Sequence, residues 1–295
     1  MTDKTLGAVQ LATGAVMISF SPVLVKLAHV GPTAAAFYRN AFGGLVLLLL
    51  ALGRRQGYHH GWRFFLLAAA SGFLFSMDVT LWHHSVHWAG PGLATILTNF
   101  QVFLLAAFGV FVLKEKLTWR LVLACPLGII GLVLLVGLDW SALDQVYRAG
   151  VVCGLAAAVA YTAFLLVLRR TQGRPGAMGP LANMTVVCLA AALTAWPIAR
   201  SFGESLFIPD GRTWVVLVMY GLAGQVLGWV LISKGLPHVE TSKAGLILLL
   251  QPTLAFVWDV LFFGRSAAAP EVLGAALALT AIYLGSTGRR PAGEG

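Results

Sequence analysis

Ten apolar stretches, each about as long as a membrane-spanning helix, occupy most of this 295-residue chain. A hydrocarbon core of about 30 Å requires about 20 apolar residues in a helix. Backbone in lipid must satisfy its own hydrogen bonds, and the stretches lack the alternation of polar and apolar residues that marks barrel strands. The sequence therefore predicts an all-α integral membrane protein with ten transmembrane helices, over residues 5–28, 32–52, 64–86, 90–113, 121–138, 149–168, 179–199, 214–233, 241–263 and 270–287.

Basic residues alternate between the two ends of these stretches. With the amino terminus inside, fourteen Lys and Arg residues lie at cytoplasmic ends and five at outside ends. This bias predicts that both termini are cytoplasmic. It also explains the net charge of +9, because the loops contain no folded basic module with interleaved aromatics, so no nucleic-acid partner is expected. The apolar composition instead implies that the partner of this chain is the lipid bilayer that surrounds it.

The ten helices divide into five plus five, and an odd number per half implies that the second half is inserted upside down. At an offset of 150 residues, Gln101 pairs with Gln251, and buried amides in membrane helices are costly without a partner. Asp78 and Trp82 share a spacing of four with Gln225 and Trp229. We expect a first five-helix repeat at 1–138, a connecting loop at 139–148 and a second, inverted repeat with a short cytoplasmic tail at 149–295.

Several short motifs resemble those of drug/metabolite transporters of the EamA type. They are Phe37-Tyr38-Arg39 in helix two, the segment 113–118 that closes helix four, and Gln251-Pro252 in helix nine. The resemblance implies a ten-helix transporter in the bacterial inner membrane, without a cofactor. The chain departs from the family pattern at Gln251, where an acidic residue is usual, and at Gly264-Arg265-Ser266, which replaces a glutamate-bearing turn, so neither position offers an acid for coupling.

Two further features are similar to the bacterial aromatic amino-acid exporters within that family. They are the segment 19–22 in helix one and the aromatic-rich helix three. The resemblance implies export of amino acids, with aromatic or other large neutral ones as the cargo.

Helix one carries a stripe of polar side chains and one methionine at helical spacing, formed by Gln10, Thr13, Met17 and Ser21. Such a face is expected to meet substrate or water. Packing between helices through small polar residues is an equally acceptable reading. Pro22 predicts a break near the end of this helix.

Helix three places Asp78 near the middle of the membrane. An ionised carboxylate at that depth is costly and commonly marks a substrate path, a proton carrier or an ion pair. Arg39 in helix two is the natural ion-pair partner, so coupling, substrate binding and a structural pair all stay open. His83 and His87 have metal-ligand spacing, but nothing else in the membrane completes four ligands, so we expect no metal.

Deep aromatic and amide side chains could together form a cavity for a planar zwitterion. Arg39 is the sole deep basic residue of the sequence, which disfavours sugar phosphates. The candidate substrate-binding residues are Gln10, Met17, Tyr38, Asp78, Trp82, His83, Asn99, Gln101, Tyr161, Gln225, Trp229, Gln251 and Trp258, with Asp78 and Arg39 as candidates for coupling or an ion pair.

The mechanism expected is alternating access, with a cavity lined by helices one, three, four, six, eight and nine. Helices five and ten are expected to be peripheral braces or the surface of a homodimer. Efflux of drugs or cationic compounds is the alternative. An intramembrane enzyme is disfavoured because paired aspartates and an activated serine motif are missing from the sequence, and a channel because the deep polar residues form no charged ring.

Overall fold

The computed structural model describes residues 3–56, 61–112, 114, 118–137, 140–171, 178–235, 238–239 and 247–287. These residues form helices joined by short loops, with no strand in any of the described ranges. The all-α prediction is confirmed. Of the motifs named above, most of 113–118 lies outside the described residues, as do residue 138, at the end of the predicted first repeat, and residue 139, the first of the predicted connecting loop.

The helices and their bounds, in chain order, are α1 Asp3–Ser19, α2 Ser21–Leu27, α3 Pro32–Gly53, α4 Trp62–Ala89, α5 Pro91–Asn99, α6 Gln101–Phe111, α7 Trp119–Val136, α8 Gln145–Thr171, α9 Pro180–Ser201, α10 Gly211–Met219, α11 Gly228–Gly235, α12 Leu250–Phe263 and α13 Ala269–Thr287. A π-helix, Tyr220–Leu227, joins α10 to α11.

Within the described ranges, eight apolar spans are long enough to cross a membrane: Lys4–Leu27, Pro32–Gly53, Trp62–Ala89, Pro91–Phe111, Trp119–Val136, Gln145–Leu168, Pro180–Ser201 and Gly211–Ile232. Two shorter apolar helices follow, Leu250–Phe263 and Ala269–Gly285. Each predicted stretch thus contains a described helix, although the ninth was expected from residue 241 and 241–246 lie outside the described residues. The chain is a multi-pass membrane protein.

Breaks interrupt the first and the fourth of the predicted helices, and a turn at Leu249 lies within the ninth. In the first, α1 ends at Ser19 and α2 begins at Ser21, with Pro22 in the first turn of α2. Pro22 has no N–H to donate and its ring crowds the preceding turn, which explains why the break precedes it. In the fourth, Phe100 separates α5 from α6. The predicted single helix at 90–113 is therefore two shorter ones.

Glycines let neighbouring helices approach closely. A Cβ on Gly150 would lie 2.9 Å from backbone and side-chain atoms of Ala89, and one on Gly154 would lie 2.8 Å from the Ser85 hydroxyl. These two glycines form a GxxxG motif on α8, the spacing that favours close contact between membrane helices. α8 therefore packs along α4 through its small-residue face.

Close approach at glycines also occurs at two other helix pairs. α1 packs along α11, where a Cβ on Gly14 would lie 2.8 Å from the Gly228 carbonyl oxygen. α7 packs along α13, where Cβ atoms on Gly131 and Gly274 would lie 2.5 Å and 2.6 Å from backbone nitrogens of the facing helix. Close backbone approach therefore holds both pairs.

α3 and α9 run antiparallel, and each caps the other. Gln56 follows the end of α3, and its Oε1 accepts hydrogen bonds from Leu181 N at 3.0 Å and Ala182 N at 3.3 Å, in the first turn of α9. Glu204 follows the end of α9, and its Oε2 accepts from Ala34 N at 2.8 Å, in the first turn of α3. Since free N–H groups at a helix start need acceptors, these contacts tie the two helices together at both ends.

Candidate functional site

A cavity of about 240 Å³ lies between the interrupted first helix and the helices around it. Its described lining comes from predicted helices one, three, four, six, eight and nine, and also from helix two through Arg39. It brings together eight of the residues proposed from sequence: Arg39, Asp78, Trp82, Asn99, Gln101, Tyr161, Trp229 and Gln251. The wall also contains Ser21, from the polar stripe of helix one, and residues that sequence reasoning did not propose, among them Ser19, Phe75, Thr95 and Thr98.

The amide residues that line this cavity lie beside helix breaks. Phe100 interrupts the fourth span between Asn99 and Gln101, and a turn at Leu249 precedes Gln251 in the ninth. The Nδ2 of Asn99 donates to the Thr95 carbonyl at 2.8 Å, whereas Oε1 of Gln101 is buried without a partner among the described residues. The lining therefore carries an uncommitted amide acceptor.

Asp78 is the acidic residue of the cavity. It is 6% exposed, and its Oδ1 is buried without a hydrogen-bond partner in the described part of the chain. No ion pair within 4.0 Å joins Asp78 to Arg39 or to any other described cation. An unpaired carboxylate oxygen at this depth is suited to a cationic group of a bound molecule or to a proton.

Arg39 is held by neighbouring polar side chains. Its Nε donates to Oε1 of Gln225 at 3.0 Å, and its Nη1 donates to the Tyr220 hydroxyl at 3.0 Å. Its guanidinium lies over the Phe75 ring at 5.6 Å and over the Tyr220 ring at 5.1 Å. The cation is thus positioned by neutral groups and aromatic faces.

His83 is buried and lies behind the cavity wall. Its Nδ1 lies 2.8 Å from the Pro32 carbonyl oxygen, and its Nε2 lies 2.7 Å from the Tyr220 hydroxyl. Both ring nitrogens are therefore engaged within the protein, which is not the arrangement expected of a substrate ligand. No group of three His, Cys, Asp or Glu side chains that could hold a metal occurs in the described ranges.

The other sequence candidates lie outside the described lining. Gln225 contacts Arg39 and Cys188 instead, with its Nε2 3.3 Å from the Cys188 sulfur. Trp258 donates from Nε1 to the Ser19 hydroxyl at 2.9 Å and stacks on Phe20, so it supports the wall from behind. The remaining three are Gln10 and Met17, which are half-buried on α1, and Tyr38, whose hydroxyl donates to the Leu206 carbonyl.

Glu204 is a partly buried acidic residue that sequence reasoning missed. Besides capping α3, it accepts from the Thr33 hydroxyl at 3.0 Å and lies 4.0 Å from Nε2 of His84. Asp259 has a comparable role at another helix start, since it accepts from Gly92 N at 3.1 Å and pairs with Arg265 at 3.4 Å. The Gly-Pro pair that begins α3 and the Pro-Gly pair that begins α5 could have indicated these contacts. A helix that begins at such a pair has N–H groups that need acceptors.

Comparisons with known proteins agree with the motifs. The model of the family described as the EamA-like transporter family matches residues 5–137 and again residues 148–287. A "Probable amino-acid metabolite efflux pump" of Salmonella typhimurium is 23% identical over 205 residues, 68% of each chain. An "Uncharacterized transporter YvbV" of Bacillus subtilis is 23% identical over 292 residues, 96% of this chain and 92% of that one.

A protein of known crystal structure has the same fold. It superposes with a TM-score of 0.68, covering 96% of this chain and 99% of the other, at 18% sequence identity. At that identity the likeness concerns the fold alone. The family resemblance inferred from the short motifs is confirmed.

Proposed function

Because this chain belongs to the EamA-like transporter family, we propose that it exports amino acids, aromatic or other large neutral ones, across the bacterial inner membrane by alternating access. One observation carries the proposal: Asp78, whose Oδ1 has no hydrogen-bond partner among the described residues, lines a cavity together with Trp82, Tyr161 and Trp229. An ammonium fits the carboxylate, and a planar side chain fits the aromatic walls. The efflux pump of Salmonella typhimurium supports the cargo class by its name.

Alternating access is supported by the relation between the two halves. α3 and α9 have the same length, and each begins with a Gly-Pro pair. Gln56 and Glu204 occupy corresponding places after them and cap them reciprocally. Antiparallel counterparts of this kind are expected of two repeats, 1–138 and 149–295, joined by the loop 139–148 and inserted in opposite senses.

The packing of helices supports the same symmetry. The symmetry relates each of the first five spans to its counterpart among the last five, so that α1 corresponds to α8 and α4 to α11. The close pair of α1 with α11 then corresponds to α8 with α4, which is also a close pair. The pairs α3 with α9, α5 with α12 and α7 with α13 map onto themselves. The two matches of one family model to the two halves agree with this exchange. The repeats would then rock about the cavity, with the breaks at Phe20, Phe100 and Leu249 beside it.

Efflux of cationic compounds is the second candidate. Asp78 in an aromatic cavity would also attract a lipophilic cation, since a carboxylate and ring faces both favour positive charge. The two cargoes differ in whether a carboxylate is needed for transport. Competition by a cation of similar size, such as phenethylamine, therefore separates them.

Counterflow of labelled phenylalanine into proteoliposomes tests the proposal. Saturable uptake above empty liposomes, competed by tryptophan more strongly than by phenethylamine, is the expected result. Competition by phenethylamine alone favours cation efflux, and absence of phenylalanine counterflow above empty liposomes would remove the amino-acid proposal. Repeating the assay with a pH gradient asks whether transport is coupled to protons.

A further inference from the structure

The π-helix brings together two residues that would otherwise diverge. Tyr220 and Gln225 are five positions apart, and side chains at this spacing point about 140° apart on an α-helix. The hydrogen bonds of a π-helix join residues five apart, so such side chains lie nearly above one another. In Tyr220–Leu227 both therefore reach the same guanidinium, that of Arg39.

The contacts of His83 determine which group donates in each of these hydrogen bonds. The Pro32 carbonyl can accept only, so Nδ1 of His83 must donate to it, and Nε2 of the neutral ring is then an acceptor. The Tyr220 hydroxyl consequently donates to Nε2 of His83 and accepts from Nη1 of Arg39. Each donor in this chain meets one acceptor, which holds the Tyr220 oxygen toward Arg39.

Arg39 has N–H donors that its contacts within the protein do not use. A guanidinium has five N–H groups, and the bonds to Gln225 and Tyr220 use two of them. Arg39 lines the cavity, and in the described part of the chain no carboxylate lies within 4.0 Å of it. A buried cation held only by neutral partners is costly, because its charge is not matched. An anion in the cavity would match it.

We propose that Arg39 is the carboxylate-binding group of the cavity, and that Tyr220, Gln225 and His83 are positioning residues that aim its guanidinium fork. The inference rests on the proposed function, in which the cargo is an amino acid. Arg39 would bind the carboxylate and Asp78 the ammonium, so the two charged groups of the cavity each receive one end of the zwitterion. Arg is suited to this role because its planar fork donates two parallel hydrogen bonds to a carboxylate.

This assignment accounts for His83 and Gln225 without placing them in contact with substrate. It also distinguishes the two cargo classes, since a cation without a carboxylate has no partner for Arg39. Tyr38 offers a matched control. Its hydroxyl also makes a hydrogen bond, to the Leu206 carbonyl, but it lies outside the described lining.

The test is equilibrium binding to purified protein of labelled phenylalanine, competed by unlabelled phenylalanine and by phenylalaninamide, which lacks the carboxylate. We expect the acid to bind wild type at least about tenfold more tightly than the amide, which corresponds to about 1.4 kcal/mol. Arg39→Lys and Tyr220→Phe should bring this ratio close to one. Tyr38→Phe should leave it unchanged, so a general loss of stability is not mistaken for the effect.

A ratio near one in wild type, a ratio that Arg39→Lys leaves unchanged, or no binding of either ligand would overturn the subsite. Parallel counterflow separates this result from the fate of the proposed function. The expected ratios without counterflow would remove the transport proposal and keep the subsite. Counterflow together with equal affinity for acid and amide would remove the subsite and keep the transport proposal.

Discussion

Gln56 and Glu204 make reciprocal contacts: each follows one of two antiparallel helices and caps the first turn of the other. The two residues differ in charge. Glu204 is 11% exposed at its side chain and has the Thr33 hydroxyl and His84 beside it, whereas Gln56 bonds only backbone N–H groups in the described part of the chain. The halves thus share a capping geometry but use different chemistry at the two ends of the bundle.

Loss of the Glu204 cap should loosen the start of α3. Glu204→Ala is expected to lower the free energy of unfolding by about 1 kcal/mol, because the N–H of Ala34 loses its acceptor. Glu204→Gln, which keeps an acceptor oxygen, should lose less. Thermal unfolding of the purified protein in detergent measures both, and equal melting temperatures for the alanine variant and wild type would contradict the capping role.

Asp78→Asn should weaken binding of an amino acid at least about tenfold, because a hydrogen bond between two charged groups becomes one to a neutral amide. The same change should hardly affect 3-phenylpropionate, which has no ammonium. Competition against labelled phenylalanine in proteoliposomes compares the two. Asp144→Asn is the matched control, since Asp144 is exposed and caps α8 through Val146 N, away from the cavity. Equal losses for both ligands would argue against an ammonium site.

Trp229→Ala should reduce affinity for tryptophan and phenylalanine about tenfold and that for alanine much less, because the variant removes an aromatic wall that only the larger side chains contact. Trp82→Phe should reduce it less, since a ring is retained. Trp196→Ala, on the exposed face of α9 where that side chain is 52% exposed, is the control. If neither cavity variant changes the order of preference among these amino acids, the aromatic wall does not select cargo.

Gly131→Ala should separate α7 from α13. The added methyl would lie 2.5 Å from the backbone nitrogen of Ala278, so one helix must shift, at a cost of about 1–3 kcal/mol. Gly53→Ala is the matched control, because nothing lies within 4 Å of its Cβ position, and it should be neutral or slightly stabilising. Melting temperatures that change alike in the two variants would contradict the close contact.

The cap of α10 should titrate in acid. Asp210 accepts from Thr213 N at 2.7 Å and from His29, and these bonds hold the pKa of Asp210 below its usual value, the first contributing more. A lowered folded pKa gives stability that is fully present above the ordinary aspartate pKa of about 3.9 and is lost as pH falls through the folded value. Asp210→Asn keeps a capping oxygen and removes the titration.

The melting temperature of wild type minus that of Asp210→Asn should therefore decrease as the pH is lowered from neutral to below the ordinary aspartate value. A difference that stays constant over this range would show that the carboxylate charge does not contribute to the cap.

Local patterns were sufficient for much of the architecture. Apolar runs predicted a described helix in each of the ten stretches, because hydrophobicity and length follow directly from residue type. Eight of the proposed polar and aromatic residues, Asp78 and Trp229 among them, line one cavity, since polar groups inside lipid must face protein or a cavity. The Gln101 and Gln251 pair, noticed from a constant offset, lies beside helix breaks in both halves.

Sequence by itself determined the membrane class, the helical secondary structure and which side chains would be costly in lipid, because these depend on composition and on period along the chain. Only the tertiary structure decided which of those side chains meet. Gln225 and His83 turn toward Arg39 and Tyr220, and Glu204 reaches α3, through contacts between residues more than 130 positions apart. A π-helix and close helix crossings set those contacts, and they arise from packing that no local pattern encodes.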